Sequence, residues 1–205
     1  MFLDILDEGQ KSLLPFVFSF KRHHFLVGGT ALALQIGHRR SIDFDLFTQA
    51  KLNHATIKNK LKDHGIVYQI LHEESDQLHV LAGEVKLTWF QFPYRIPVGR
   101  PADFGISIPS IASIAAMKAF ALGGRGKWKD YVDLYFVLKY HSGLNEVSSL
   151  AREYFGSSFN EKLFRQQLSY FDDMDYSESL EYLVSSPPGD QEIKDFLSNI
   201  ALQPF

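Results

Sequence analysis

Apolar residues at Leu3, Ile5, Leu6, Leu13, Leu14, Val17 and Phe18 recur at a rough helical spacing, which Pro15 interrupts. "HHFLVGG" then reads as a short buried strand ending in glycine, and "TALALQIG" as a helix of about two turns with Gly37 as its stop. In "SIDFDLF" the apolar Ile42, Phe44 and Leu46 alternate with Asp43 and Asp45, the period of a strand with two different faces. Residues 53–63 predict a helix with a polar face. "IVYQILHE", "QLHVLAG" and "EVKLTWFQF" predict strands, the last two joined at Ala82-Gly83 as a tight hairpin.

A proline-punctuated connector, Pro93 to Pro109, separates this half from a mainly helical one. Ser110 follows Pro109 as a natural N-cap for "SIASIAAMKAFALGG", and "KWKDYVDLYFVLKYH" is the next helix, with further helices expected around 144–155, 160–170 and 190–200. The pattern predicts an α+β chain: a mixed α/β core over residues 1–105 and a helical part over 106–205, packed as one compact unit. No internal repeat and no low-complexity tract breaks this organisation.

Composition narrows the function classes. The chain has 205 residues, 45% of them hydrophobic, so it holds enough apolar material for a core. No apolar run reaches the roughly 18–20 residues that span a bilayer, and the acidic start "MFLDILDEGQK" lacks the basic opening of a signal peptide. The absence of cysteine removes disulfides and thiolate metal sites. A cytoplasmic protein without a membrane partner is the expectation. With a net charge of -3, any nucleic-acid partner would need a local basic patch.

The chemistry concentrates between residues 25 and 47. Gly28-Gly29 between a strand and a helix uncovers backbone N–H groups where a helix start favours phosphate oxygens, and Thr30 adds a hydroxyl. Asp43 and Asp45 share a strand face about 6–7 Å apart, where they repel each other unless a cation intervenes. Mg²⁺ suits such a pair, since it takes one or two carboxylates and completes its shell with water and substrate phosphates. A glycine pair alone is usually only a turn, and an isolated D-x-D serves equally as the solvent side of an edge strand. Their proximity in one segment is what joins them into a candidate site.

"GGTALALQIGHRRSIDFDLF" and "MKAFALGGRGKWKDYVDLYFVL" together resemble the signature of the AbiEii/AbiGii-type nucleotidyltransferases, a branch of the polymerase-β-like superfamily that includes type IV toxin–antitoxin toxins. The resemblance spans roughly residues 24–140. It implies a polymerase-β-like nucleotidyltransferase core, a small mixed sheet with flanking helices, followed by a helical C-terminal half. It further implies that Gly28, Gly29 and Thr30 hold the triphosphate of an NTP, that Asp43 and Asp45 hold Mg²⁺, and that Lys118 lies near the nucleotide, with Asp130 and Asp133 on the following helix. The implied reaction moves a nucleoside monophosphate onto an RNA (tRNA among them) or a protein side chain. An antitoxin protein is the implied partner of a toxin.

One position departs from that pattern. Two-metal nucleotidyl transfer commonly uses a third carboxylate on a neighbouring strand, and the corresponding residue in "VKLTWFQFPY" is Thr88. Threonine is no base at neutral pH and a poor Mg²⁺ ligand. Glu84 has the right parity but lies about 13 Å away along an extended strand. The chain is therefore either a transferase that uses another base or a catalytically reduced nucleotide-binding or interaction module. Asp130 and Asp133, three apart on a helix, are the available substitutes; equally, they pair with a basic residue to dock the helix.

Basic residues gather at Lys118, Arg125, Lys127 and Lys129, with Trp128 among them to stack on a base or anchor the helix. Arg125 and Lys129 are candidate nucleotide contacts, as is Arg39, which with Arg40 precedes the D-x-D strand. His23 and His24 point in opposite directions if their segment is a strand, and His38 reads as structural. The acidic "DDMDYSESLEYL" is either a solvated face or a surface for a basic partner.

Overall fold

The computed structural model describes residues 1–99, 104–122, 126–172 and 174–204. The chain divides into two compact units, residues 1–109 and 110–205. Among the described residues, no helix is long and apolar enough to cross a membrane.

In the first unit, α1 (Glu8–Phe18) starts later than the apolar spacing suggests. Asp7 caps it: Gln10 N donates to Asp7 Oδ1 at 2.7 Å while Gln10 Oε1 accepts from Asp7 N at 3.2 Å. Pro15 is accommodated inside the helix, where it forgoes one backbone bond. The buried strand β1 (Phe25–Val27) runs directly into α2 (Gly28–Ile36), and Gly37 ends that helix in the left-handed region at φ 67°. His23 and His24 precede β1 rather than belonging to it.

The strand β2 (Phe44–Thr48) keeps the expected alternation, with Phe44 and Leu46 buried and Asp45 on the opposite face. Ile42 falls ahead of the strand and is 44% exposed, so the alternation does not extend to it. After α3 (His54–Asp63), capped by Asn53, come β3 (Gln69–Glu74), β4 (Gln77–Ala82) and β5 (Val85–Gln91). Residues 66–68 stay outside β3, which is exposed along its whole length and carries a bulge between Ile70 and His72.

The sheet order is β1-β2-β5-β4-β3. All neighbours are antiparallel except β2 and β5, which run parallel. Beneath it, Trp89 packs edge-on to Phe16 at 6.0 Å, alongside the buried Leu26, Leu32, Phe44 and Leu46. Burial of such side chains stabilises the unit by about 1.5–3 kcal/mol each.

The second unit is helical: α4 (Ile111–Leu122), α5 (Trp128–Tyr140), α6 (Leu144–Phe155), α7 (Glu161–Leu168) and α8 (Asp190–Ala201). Ser110 caps α4 as its sequence position suggests, accepting from Ser113 N at 3.1 Å. Helix α5 is buried along most of its length, and Phe120 stacks on Phe155 at 4.1 Å to join α4 to α6. Arg165 is buried and ties α7 to the end of α8 through Gln203 O at 2.7 Å.

Candidate functional site

The strand-to-helix turn after β1 and the start of β2 meet in the first unit. Val27 is in register with Asp45, so Gly28 begins α2 beside that aspartate. A Cβ added to Gly28 would collide with Asp45 Oδ2 and stand 3.1 Å from its Cγ, and φ is +76° there. Glycine is thus required twice over, by backbone conformation and by the approach of the carboxylate. A Cβ on Gly29 would lie 2.7 Å from Arg39 Nη2 and 2.8 Å from Ser41 Oγ. Arg39 is buried over this glycine and donates to Arg40 O at 2.9 Å.

Thr30 is buried as well. Its hydroxyl lies within hydrogen-bond distance of Asp43 O and is 3.0 Å from Ser41 Oγ, so it fixes the segment leading into β2. Gln10 Nε2 holds the same segment, donating to Ser41 O at 2.9 Å. The contribution of Thr30 to a phosphate is therefore confined to its backbone N–H. Ser41 and Gln10 are supporting residues that the sequence did not single out: Ser41 stands within the signature stretch but was given no role, and Gln10 stands in no motif.

Asp45 is in register with Thr88 on β5, and Thr88 with His79 on β4. Residues in register on adjacent strands face the same way about 4.8 Å apart, so Thr88 does occupy the strand position beside the D-x-D. It is 7% exposed. Glu84 is in the exposed turn between β4 and β5. Lys86, two residues before Thr88 on the same face, brings Nζ to 3.5 Å from Asp43 Oδ2. Only strand register could reveal that pair. His79 is held below its ordinary pKa by burial first and by Lys86 and His72 next.

The donor set fits Mg²⁺. Among the described residues, no cluster of three or more His, Asp or Glu could hold a metal. Asp43 and Asp45 would supply two carboxylates to such an ion, and the lack of a side chain at Gly28 leaves room for that of Asp45. Such a pair leaves the rest of an octahedral shell to water and substrate oxygens, as Mg²⁺ prefers.

The remaining candidates lie in the second unit. Lys118 Nζ is 2.6 Å from Asp130 Oδ1 and 2.7 Å from Asp133 Oδ2, and all three side chains are buried. One lysine of α4 thereby links two turns of α5, which gives the docking of these helices a direct geometric form. Lys127 and Lys129 both engage Glu178 of the acidic segment, Lys127 at 2.7 Å. Trp128 is buried against Tyr176 at 5.3 Å and anchors the start of α5. Burial opposes ionisation of Glu178, yet the two ammonium groups outweigh it and bring its carboxyl down from 4.5 to about 2. Arg125 lies outside the described residues.

Residues 81–203 match the family model of the nucleotidyl transferase AbiEii toxin of type IV toxin–antitoxin systems. That match takes in Thr88, Lys118, Asp130 and Asp133; Gly28 and the two site aspartates precede it. The uncharacterized protein aq_aa25 of Aquifex aeolicus (strain VF5) is 32% identical over 154 residues, 73% of this chain and 74% of that one. Among solved structures, the nucleotidyltransferase toxin MenT4 of Mycobacterium tuberculosis superposes with a TM-score of 0.62 at 13% identity, covering 94% of this chain and 80% of its own. JHP933 of Helicobacter pylori superposes with a TM-score of 0.60 at 20% identity, covering 96% and 91%. At these identities the likeness is one of fold.

Two outcomes follow from the ion pairs. Lys118→Ala removes the ammonium that two buried carboxylates share and is expected to cost about 3–5 kcal/mol in urea unfolding, whereas Lys118→Met with Asp130→Asn and Asp133→Asn recovers most of the loss. A cost below about 1 kcal/mol for the single substitution would mean that the linkage does not hold the helices. The Glu178 contribution is present above its ordinary pKa of 4.5 and lost as pH falls through about 2. The urea midpoints of wild type and Glu178→Gln should therefore differ at neutral pH and converge near pH 2; an undiminished gap at low pH would exclude the pairing.

Proposed function

Because the chain belongs to the AbiEii nucleotidyl transferase toxin family, we propose that it transfers a nucleoside monophosphate from an NTP to a hydroxyl of an RNA, tRNA included, or of a protein. As a toxin it would have an antitoxin protein as partner. The observation that carries the reading is the Asp45 carboxylate packed against the start of α2 at Gly28, with Asp43 just ahead of the same strand. Mg²⁺ held by Asp43 and Asp45 would supply charge neutralisation on the triphosphate.

The chain's own groups account for positioning. The first N–H groups of α2, at Gly29 and Thr30, are donors for the outer phosphates at the positive end of the helix. Asp45 is kept in place by its register with Val27 and Thr88, so the α-phosphorus can be held in line with an attacking hydroxyl. The new bond joins that oxygen to the α-phosphorus while pyrophosphate departs, and the hydroxyl proton passes to solvent or to a carboxylate. Lys118, buried between Asp130 and Asp133, serves within the second unit to join α4 to α5.

A second reading rests on Thr88 and Lys86. With threonine in register with Asp45 and an ammonium 3.5 Å from Asp43, the site supports nucleotide binding better than two-metal chemistry. In that case the chain is a nucleotide-binding or interaction module of the same fold. Thr88→Asp separates the two: transfer of label from an α-³²P NTP should rise at least about tenfold if turnover was limited by the missing carboxylate. An unchanged rate in an already active protein means that another base serves.

Calorimetric titration of each of the four NTPs, with and without Mg²⁺, tests the main reading. At least one should bind in a metal-dependent way, and Asp43→Asn with Asp45→Asn should abolish that binding. Folded protein that binds none of them would overturn the nucleotide site.

A further inference from the structure

Across the face that carries Asp45, one row of side chains runs through four strands. Asp45 of β2 is in register with Thr88 of β5, Thr88 with His79 of β4, and His79 with His72 of β3. Residues in register share a face, and each step along the row is about 4.8 Å. The order of the strands gives the row a direction. Gly29 and Thr30, whose N–H groups are the donors for the outer phosphates, follow β1 on one side of Asp45, while β5 and β4 lie on the other. A triphosphate that runs from Asp45 toward α2 presents its α-phosphorus for in-line attack from the opposite side, across Thr88.

An attacking oxygen about 3–3.5 Å from that phosphorus stands over β5 and needs a proton acceptor on β5 or β4. Thr88 is no base, and the Lys86 ammonium, engaged with Asp43, has no electron pair to offer. His72 is one strand further out, and its Nε2 lies 3.2 Å from Glu74 Oε1. His79 is what the row leaves. It is half-buried, and its ring stands edge-on to His72 with 5.4 Å between centres. Neither of its ring nitrogens is claimed by a hydrogen bond among the described residues. Burial, then Lys86 and His72, hold its pKa below the ordinary 6.5, so the ring is neutral and able to accept near neutral pH. One strand spacing separates it from Thr88, whose short side chain leaves the way between them open.

We propose that His79 is the general base of the transfer, in place of the carboxylate that Thr88 replaces; the inference rests on the transferase reading above. The proton of the acceptor hydroxyl passes to a ring nitrogen of His79 as the oxygen bonds to the α-phosphorus. The bond from that phosphorus to pyrophosphate breaks, and its electron pair leaves with pyrophosphate. The imidazolium then returns the proton to solvent.

The test uses the full-length protein with Mg²⁺, each α-³²P NTP, and bulk tRNA or a soluble protein extract as acceptor, with Asp43→Asn/Asp45→Asn as the blank. His79→Gln and His79→Ala should keep NTP binding by calorimetry and lower label transfer at least about 100-fold. Free imidazole should raise transfer by His79→Ala at least about tenfold and leave the aspartate variant unchanged. A smaller loss, a loss accompanied by loss of NTP binding, or a loss that imidazole does not relieve to that extent overturns His79 as the base and leaves the transferase reading intact. Wild type that transfers no label to either acceptor above the blank fails that reading itself, and this inference with it.

Discussion

The contact on which the first unit turns is the approach of the Asp45 carboxylate to the backbone of Gly28. The chain must leave β1 at a positive φ, start α2 at once, and return through a segment held by Thr30 and Gln10 to enter β2 in register with Val27. Any side chain at residue 28 would displace the carboxylate or the turn. Backbone donors and carboxylate acceptors are thereby fixed within one small volume, before any ligand arrives. That is the preorganisation a phosphate site requires.

Much of this was legible in the sequence because its signals are local. Gly37, the alternation at Phe44, Asp45 and Leu46, and Ser110 each specify backbone conformation within a few residues, and each is found in the role read for it; the hairpin falls one residue later than read, at Gly83-Glu84, and the Gly28-Gly29 pair opens α2 instead of preceding it. The D-x-D could be joined to the glycine turn only through the resemblance and their nearness in the chain. The structure supplies the missing contact.

What escaped is tertiary. Lys86 meets Asp43 only because β2 and β5 run parallel with Asp45 opposite Thr88. Nothing within either segment encodes that pairing. That Lys118 lies between Asp130 and Asp133 was not legible either, since helical spacing says which residues share a face and not what lies opposite. The late start of α1 reflects the preference of Asp7 for a cap over continuing the helix, which an apolar spacing does not register. Likewise, "DDMDYSESLEYL" showed its charge, but not that Glu178 would be claimed by two lysines of the same unit.

The parallel pairing of β2 with β5 also bears on how the molecule assembles itself. β3, β4 and β5 are consecutive and antiparallel, so they close by short turns, and β1, α2 and β2 form a second local block. Only the docking of β2 against β5 joins the two blocks, and it bridges a long stretch of intervening chain, with the loop-closure entropy that entails. That same seam brings Asp45 beside Thr88. The candidate site is thus made at the junction of two locally connected pieces, and its completion coincides with the most non-local pairing in the sheet.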